Sequence, residues 1–245
     1  MGVSTKQGAT GDDAIKDKCV ELDKANKDER QKFVDEKTNK QNKQGLNQEE
    51  SSALDKADRG GMTYSSASST CSEPATDCMT QSSNGLANAH INEDLDGGTS
   101  EQKMGLNKDI RADKSDKFAD EKKKAGVLCG GSHVHPGAGY GAHAEAKIVN
   151  NLSNAGGSMS GCSMVLNIDW RRNLSGGGVQ NSGMPCTTCY KMLCHAASPA
   201  PDGCDIEIVL CGKENEPVRF DSSACPDGYE ELSRAVDGRY PPGRV

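Results

Sequence analysis

Four residues in two short segments have the types and spacing of a catalytic metal site. His143 and Glu145 are two residues apart in the segment GAHAEAK, and Cys186 and Cys189 are three residues apart in the segment MPCTTCY. Neutral imidazole and thiolate are preferred zinc ligands, and three protein ligands plus a water describe a catalytic rather than a structural site. We therefore predict that His143, Cys186 and Cys189 bind Zn²⁺ and that Glu145 is the spare carboxylate.

This set of residues predicts hydrolysis. Zinc lowers the pKa of a bound water to about 7, which makes hydroxide available at neutral pH. Glu145 would take the proton of that water and pass it to a ring nitrogen and then to a leaving amine, so that an amidine-like carbon loses ammonia. The alternatives are a structural zinc site and a redox Cys-x-x-Cys site, and the redox site would give no reason for His143 and Glu145.

The two segments must each open a helix if their side chains are to meet. Pro185 suits the first position of a helix that continues from Cys186 to Ala197. Residues 164–170 alternate apolar and polar side chains, which predicts a strand between the two segments. In chain order we predict a strand at 126–130, a helix at 143–152, a strand at 164–170, a helix at 186–197, a strand at 206–211 and a helix at 229–236. This order predicts a three-layer α/β unit over residues 124–245.

Residues 1–123 form a polar N-terminal region in this interpretation. Residues 12–43 are dense in charged and amide side chains, so we expect a solvated helix with little apolar face. Residues 59–100 are rich in Gly, Ser, Thr and Asn, which favours a linker or an irregular loop, and residues 109–124 favour another charged helix. We predict a partly helical, partly disordered delivery or linker region. The alternative is a substrate-binding extension that packs on the C-terminal half.

Composition limits the class of protein. Hydrophobic residues make up 33% of the chain and aromatic residues 4%, which argues against one core across all 245 residues. The net charge of −7 is not that of a protein that coats nucleic acid by charge alone. No apolar run reaches the length of a membrane span, and the first ten residues lack the apolar core of a classical signal peptide.

The chain has eleven cysteines. The odd number and the Cys-x-x-Cys segment favour a reducing compartment with a metal site, while a pairing such as Cys71 with Cys78 stays open. A second metal site around Cys194 and His195 is less favoured than a buried, uncharged thiol at Cys194. The same interpretation extends to five other cysteines, namely Cys129, Cys162, Cys204, Cys211 and Cys225.

Four further residues are candidates for substrate binding. His133 and His135 lie in a Gly-rich loop before the His143 helix, where they would line a base pocket or hold a phosphate. Tyr140 would stack on the base, and Trp170 ends the central strand, where ligands bind in open α/β sheets. The alternatives are exposed loop histidines and core packing of the aromatic rings. Asn167 and Asp169 point to the other face of the strand, and we expect them at the surface or in a turn.

The pattern His-x-Glu followed by Pro-Cys-x-x-Cys is the signature of zinc nucleobase deaminases. Residues 126–245 accordingly resemble the cytidine deaminase-like superfamily, and the matching positions are His143, Glu145, Pro185, Cys186 and Cys189. The resemblance implies a mixed five-stranded sheet between layers of helices. It also implies that the His and the two Cys bind zinc and that the Glu is the proton shuttle.

Within that superfamily, the segments HAEAKI and PCTTCYKML after a long polar region resemble the deaminase toxins of bacterial polymorphic toxin systems. The resemblance implies conversion of cytosine to uracil in nucleic acid, with DNA favoured over RNA. It implies a secreted antibacterial effector without a classical signal peptide, delivered through its N-terminal region by a type VI-like apparatus into the cytoplasm of a target cell. A cognate immunity protein would protect the producing cell.

Two features keep other functions open. Residues 124–245 contain 10 basic and 12 acidic residues, a net charge of −2, whereas nucleic-acid enzymes usually show a basic track. Aromatic side chains that could stack on a flipped base are also few. A deaminase of a free nucleoside, nucleotide or other amino-heterocycle is therefore one alternative, and a non-enzymatic interaction module stapled by zinc is another.

Overall fold

A computed structural model describes residues 7–72, 75–83, 125–128, 131–134, 143–154, 159–173 and 179–239. The helices are α1 (Gln7–Gln44), α2 (Gln48–Arg59), α3 (Ala144–Asn154), α4 (Thr187–Ala197) and α5 (Tyr229–Asp237). The strands are β1 (Thr63–Ser72), β2 (Ala75–Ser83), β3 (Ala125–Leu128), β4 (Gly131–Val134), β5 (Ser163–Asn173), β6 (Val179–Ser182), β7 (Glu207–Cys211) and β8 (Pro217–Arg219). Within these residues, no helix combines the length and apolar character needed to cross a membrane.

A mixed sheet forms the centre of the described fold. Its strand order is β2-β1-β5-β7-β8, in which only the β5–β7 pair is parallel. β6 pairs with the distal part of β5, beyond the segment that pairs with β7. β3 and β4 form a separate two-stranded sheet. The prediction of an α/β fold with a mixed five-stranded sheet and helices is confirmed at this level.

The central strand β5 separates two helical layers. Met164, Leu166 and Ile168 belong to one buried core with side chains of α3 and α4, such as Ile148 and Leu193. The intervening side chains of β5 point to the opposite face, where α1 packs. Because successive side chains of a strand alternate between faces, this one strand supports both layers.

The contact between α1 and the sheet includes buried polar side chains. The Asn26 amide donates to Asn167 Oδ1 over 2.8 Å, and Ser66 Oγ donates to Asn26 Oδ1 over 2.7 Å. Arg30 Nε donates to Asp169 Oδ2 over 2.7 Å, and both side chains are at most 8% exposed. The expectation that Asn167 and Asp169 lie at the surface or in a turn is therefore wrong, because α1 covers both.

The predicted linker at 59–100 contains two long strands. β1 lies between β2 and β5, so a segment of the N-terminal half is an interior strand of the sheet. Its sequence TYSSASSTCS hides the alternation of apolar and polar residues, because serine fills buried positions on both faces. Residues 7–72 and 75–83 thus contribute helices and strands that pack with β5 of the C-terminal half.

Disulfides connect the layers. Cys19 of α1 is bonded to Cys211 of β7, Cys71 of β1 to Cys162 before β5, and Cys194 of α4 to Cys225 before α5. Cys204 is disulfide-bonded as well. These bonds contradict the interpretation of Cys162, Cys194, Cys204, Cys211 and Cys225 as uncharged free thiols, and the Cys71–Cys78 pairing is also wrong. Because structural disulfides form in oxidising compartments, they argue against the predicted reducing compartment.

Because Arg30 and Asp169 form a buried ion pair, we expect a single substitution in it to destabilise the protein strongly. Arg30→Met leaves the Asp169 carboxylate buried without its cation, and we expect the free energy of unfolding to fall by about 3–5 kcal/mol. Equilibrium unfolding in urea measures this change.

Lys24→Met is the control, because Lys24 pairs with Asp28 on the solvent side of the same helix. We expect a change within about 0.5 kcal/mol there. The double variant Arg30→Met/Asp169→Leu removes both charges and should regain much of the lost stability. A loss below about 1 kcal/mol for Arg30→Met would contradict the assigned role of the pair.

Candidate metal centre

The two predicted segments begin two neighbouring helices. The carbonyl of His143 accepts the N–H of Lys147 over 3.1 Å, which starts α3. The carbonyl of Cys186 accepts the N–H of Tyr190 over 2.8 Å, which starts α4. The backbone of Cys186 is extended, and its sulfur accepts the N–H of Cys189 as a helix cap. Each helix therefore presents potential ligands at its N-terminus.

These helix ends bring three potential ligand atoms together. His143 Nδ1 lies 3.5 Å from Cys186 Sγ and 3.5 Å from Cys189 Sγ. The three atoms lie within 4.8 Å of one another. His143 and Cys186 are half-buried and Cys189 is buried. The predicted convergence of the imidazole and the two sulfurs is confirmed.

The donor set and its spacing fit a tetrahedral metal ion. Zinc binds sulfur at about 2.3 Å and imidazole nitrogen at about 2.0–2.1 Å, so neighbouring N and S ligands of a tetrahedral site lie about 3.5–3.6 Å apart. Both N–S distances here are 3.5 Å. Among the cysteines whose side chains the structure describes, Cys186 and Cys189 are free and the others are disulfide-bonded. The three residues can hold a metal ion.

The two thiols differ strongly in acidity. Hydrogen bonding from Cys189 lowers the pKa of Cys186 to about 4, with His143 contributing in the same direction against the effect of burial. The hydrogen bond to Cys186 and then burial raise the pKa of Cys189 well above its usual range. A thiolate at Cys186 is also favoured by its place at a helix N-terminus. One sulfur is thus ready to bind a metal as a thiolate.

Glu145 lies in the first turn of α3, beside the ligand atoms but not among them. Its side chain is buried, with 3% exposure. Burial and then the negative charge of Cys186 raise the pKa of Glu145 to about 7, while the charge of His143 acts in the opposite direction. The carboxyl also interacts with the Cys189 thiol. A carboxyl in this position can exchange protons with a group bound at the cluster.

His143 responds to the same neighbours. Burial has the largest effect and lowers the pKa of its imidazole. The hydrogen bond to Cys186 and the charges of Glu145 and Cys186 outweigh burial, so the pKa is raised overall. The imidazole is therefore held among negative groups.

Of the four predicted substrate residues, Trp170 has a side chain that the structure describes. His135 and Tyr140 lie outside the described residues, and His133 is described only as a backbone position of β4 paired with Gly126. Trp170 is half-buried against the main core and pairs across the sheet with Thr63 and Ser182. Its described packing agrees with the alternative that Trp170 is a core residue.

Sequence reasoning missed two residues that hold the loop before Cys186. Tyr229 Oη donates to the carbonyl of Pro185 over 2.8 Å. Asp237 accepts from Ser182 Oγ over 2.6 Å and from the Gly183 N–H over 2.9 Å. Neither residue belongs to a recognisable motif, since its partners lie about fifty residues away in the sequence and are two backbone groups and one serine hydroxyl.

Comparison of the chain with protein-family models, curated proteins and solved structures finds no match.

The geometry predicts that removal of one ligand prevents tight metal binding. Loss of an outer-shell partner typically costs 10–100-fold in metal affinity, so His143→Ala should cost more than about 100-fold. Zn²⁺ titration against a chromophoric chelator measures the affinity.

His195→Ala is the matched control, because His195 lies in the last turn of α4, far along the helix from Cys186, and should retain the affinity of the original protein. Alkylation followed by mass mapping gives a second measurement, in which Zn²⁺ should protect Cys186 and Cys189. Equal metal affinity in His143→Ala and His195→Ala would exclude the imidazole as a ligand.

Proposed function

We propose that this chain is a zinc-dependent hydrolytic deaminase with a cytidine deaminase-like fold. The observation that carries the proposal is the cluster of His143, Cys186 and Cys189 with the buried carboxyl of Glu145 beside it. One nitrogen and two sulfur donors favour zinc over magnesium or calcium, which prefer oxygen ligands. The mixed sheet between α1 and the α3–α4 layer supports the fold part of the proposal.

In this proposal His143, Cys186 and Cys189 would hold a zinc ion, which would make hydroxide available as the nucleophile at neutral pH. Glu145 accepts the proton of the attacking water, gives it to the ring nitrogen of the substrate and then moves a proton to the leaving amine. The net reaction at the amidine carbon is addition of one water and loss of one ammonia, so cytosine becomes uracil without an oxidant or a nucleotide cofactor.

We propose cytosine in nucleic acid as the substrate, with DNA favoured over RNA. The resemblance of the two zinc segments to deaminase toxins supports this choice. The second candidate is a free nucleoside, nucleotide or other amino-heterocycle. The net charge of −7 favours it, because a negatively charged protein does not attract a nucleic acid electrostatically. The substrate test below separates the two.

The proposed biological role is that of a secreted antibacterial toxin. It would be delivered by a type VI-like apparatus to the cytoplasm of a target cell and neutralised in the producer by an immunity protein. The disulfides between α1 and β7, β1 and β5, and α4 and the segment before α5 support export, because such bonds persist outside reducing compartments.

The substrate test uses the purified, zinc-loaded chain with its disulfides intact. Single-stranded DNA, duplex DNA, RNA and free cytidine or deoxycytidine nucleotides are offered separately, and uracil and ammonia are measured. Uracil in an oligonucleotide supports the nucleic-acid substrate, whereas turnover of free compounds alone selects the second candidate. Bound zinc without turnover of any of these would reject cytosine as the substrate and leave the interaction module or a deaminase of another amino-heterocycle.

Glu145→Ala should abolish deamination without releasing the metal. Loss of a general acid–base group typically costs 10²–10⁴-fold in rate, so we expect turnover to fall by at least about 100-fold. Glu207→Ala is the control, because Glu207 is an exposed glutamate on β7 that pairs with Arg219. Undiminished activity of Glu145→Ala, or uracil in the DNA of cells that express it, would exclude Glu145 as the proton shuttle.

A further inference from the structure

We propose that α5 is the element that positions the metal-binding loop, and that Asp237 and Tyr229 are its positioning residues. The proposal rests on the metal site described above and adds to it two residues that bind the loop before Cys186. The metal-binding loop is the short segment Ser182–Pro185, which connects β6 to the candidate ligand Cys186.

The two ends of α5 hold the two ends of this loop. Asp237, at the C-terminal end of α5, accepts hydrogen bonds from Ser182 Oγ and from the Gly183 N–H. Tyr229, at the N-terminal end, donates to the Pro185 carbonyl. Eight residue steps of helix rise about 12 Å, and three extended residue steps span about 10–11 Å. The helix therefore lies antiparallel along the loop and matches its length.

The loop is also pressed against α5. A Cβ atom at Gly183 would lie 3.0 Å from Val236 Cγ1 and 2.9 Å from the Cys211 carbonyl oxygen, closer than side chains normally approach. Glycine is thus required where the loop passes between α5 and the end of β7. The Asp237 side chain is 5% exposed, so its hydrogen bonds are sheltered from water.

α5 is itself fixed to the helix that carries both sulfurs. The Cys194–Cys225 disulfide joins α4 to the segment that leads into α5. The rings of Tyr190 and Tyr229 pack edge to face with centroids 5.2 Å apart. Val236 is fully buried in the main core. The loop and α4 are therefore placed relative to the same rigid element.

The consequence differs for the two sulfurs. Cys189 lies within α4 and keeps its place with that helix, whereas Cys186 lies at the junction between α4 and the loop. Loss of the α5 contacts frees the loop side of this junction. The effect should therefore fall on Cys186 and on its 3.5 Å approach to His143 Nδ1.

The test measures Co²⁺ binding to the purified full-length chain with its disulfides intact. Asp237→Asn and Tyr229→Phe remove one charge and one oxygen respectively. Each should weaken Co²⁺ affinity by about 10-fold or more, in the range seen for outer-shell partners. At saturating Co²⁺ the thiolate-to-metal absorption should fall, because the bond to Cys186 is impaired, and a merely structural role of α5 would not change this spectrum.

Two matched controls make the same chemical changes elsewhere. Glu230→Gln removes an exposed carboxylate on α5. Tyr64→Phe removes a buried hydroxyl on the α1 face of the sheet that has no hydrogen-bond partner among the described residues. Both should bind Co²⁺ with the affinity and spectrum of the original protein. If Asp237→Asn does not fold, Tyr229→Phe decides, because it retains the ring that packs on Tyr190.

Unchanged affinity and spectrum in folded Asp237→Asn and Tyr229→Phe would overturn the proposal while the metal site stands. Absence of Co²⁺ and Zn²⁺ binding in the original protein would overturn both the metal site and the role of α5. Weakened binding in these variants, in a protein that binds metal but deaminates nothing, would support the role of α5 and reject the proposed reaction.

Discussion

Two helix N-termini meet on one side of the sheet, and the rest of the site depends on this encounter. Each N-terminus carries a partial positive charge from its unpaired N–H groups, so two of them close together need negative groups between them. The groups present are the Cys186 sulfur at the start of α4 and the Glu145 carboxyl in the first turn of α3. The partial positive charge of the two helix N-termini also favours a thiolate at the position where a metal would bind. A metal ion would add positive charge, and its thiolate ligands would balance it.

Different interactions hold α1 on the opposite face of the sheet. Along α1, the residues that face the sheet are Cys19, Leu22, Asn26, Arg30 and Phe33, which recur at intervals of three and four as on one face of a helix. Two of these five positions are polar and a third is in a disulfide. Each polar side chain finds a partner on β1 or β5, so burial leaves their hydrogen-bonding groups satisfied. Because Asn26 and Arg30 each have specific partners on the sheet, their hydrogen bonds also fix the position of α1 relative to β1 and β5.

These two faces explain what the sequence predicts and what it does not. The α3–α4 face follows apolar periodicity, and its elements are predicted close to their observed bounds. The metal ligands are predictable because His, Cys and Glu at helix starts have few other uses together. The α1 face is missed because Asn26 and Arg30 interrupt the apolar stripe, and β1 is missed because serine occupies several of its buried positions. Asp237 and Tyr229 are missed for another reason, since they bind two backbone groups and one serine hydroxyl that form no recognisable motif.

The cysteines show how one residue type divides between two roles. Those that join layers, such as Cys19 and Cys211, lie on separate elements that the fold brings within bonding distance. Cys186 and Cys189 lie one helical turn apart at a helix start, next to an imidazole, and remain free. A thiol whose pKa is about 4 is also a reactive one, because the thiolate is both the metal ligand and the nucleophile in disulfide exchange. In a compartment that oxidises the other cysteines, these two sulfurs therefore need a bound metal to stay as thiolates rather than form a disulfide.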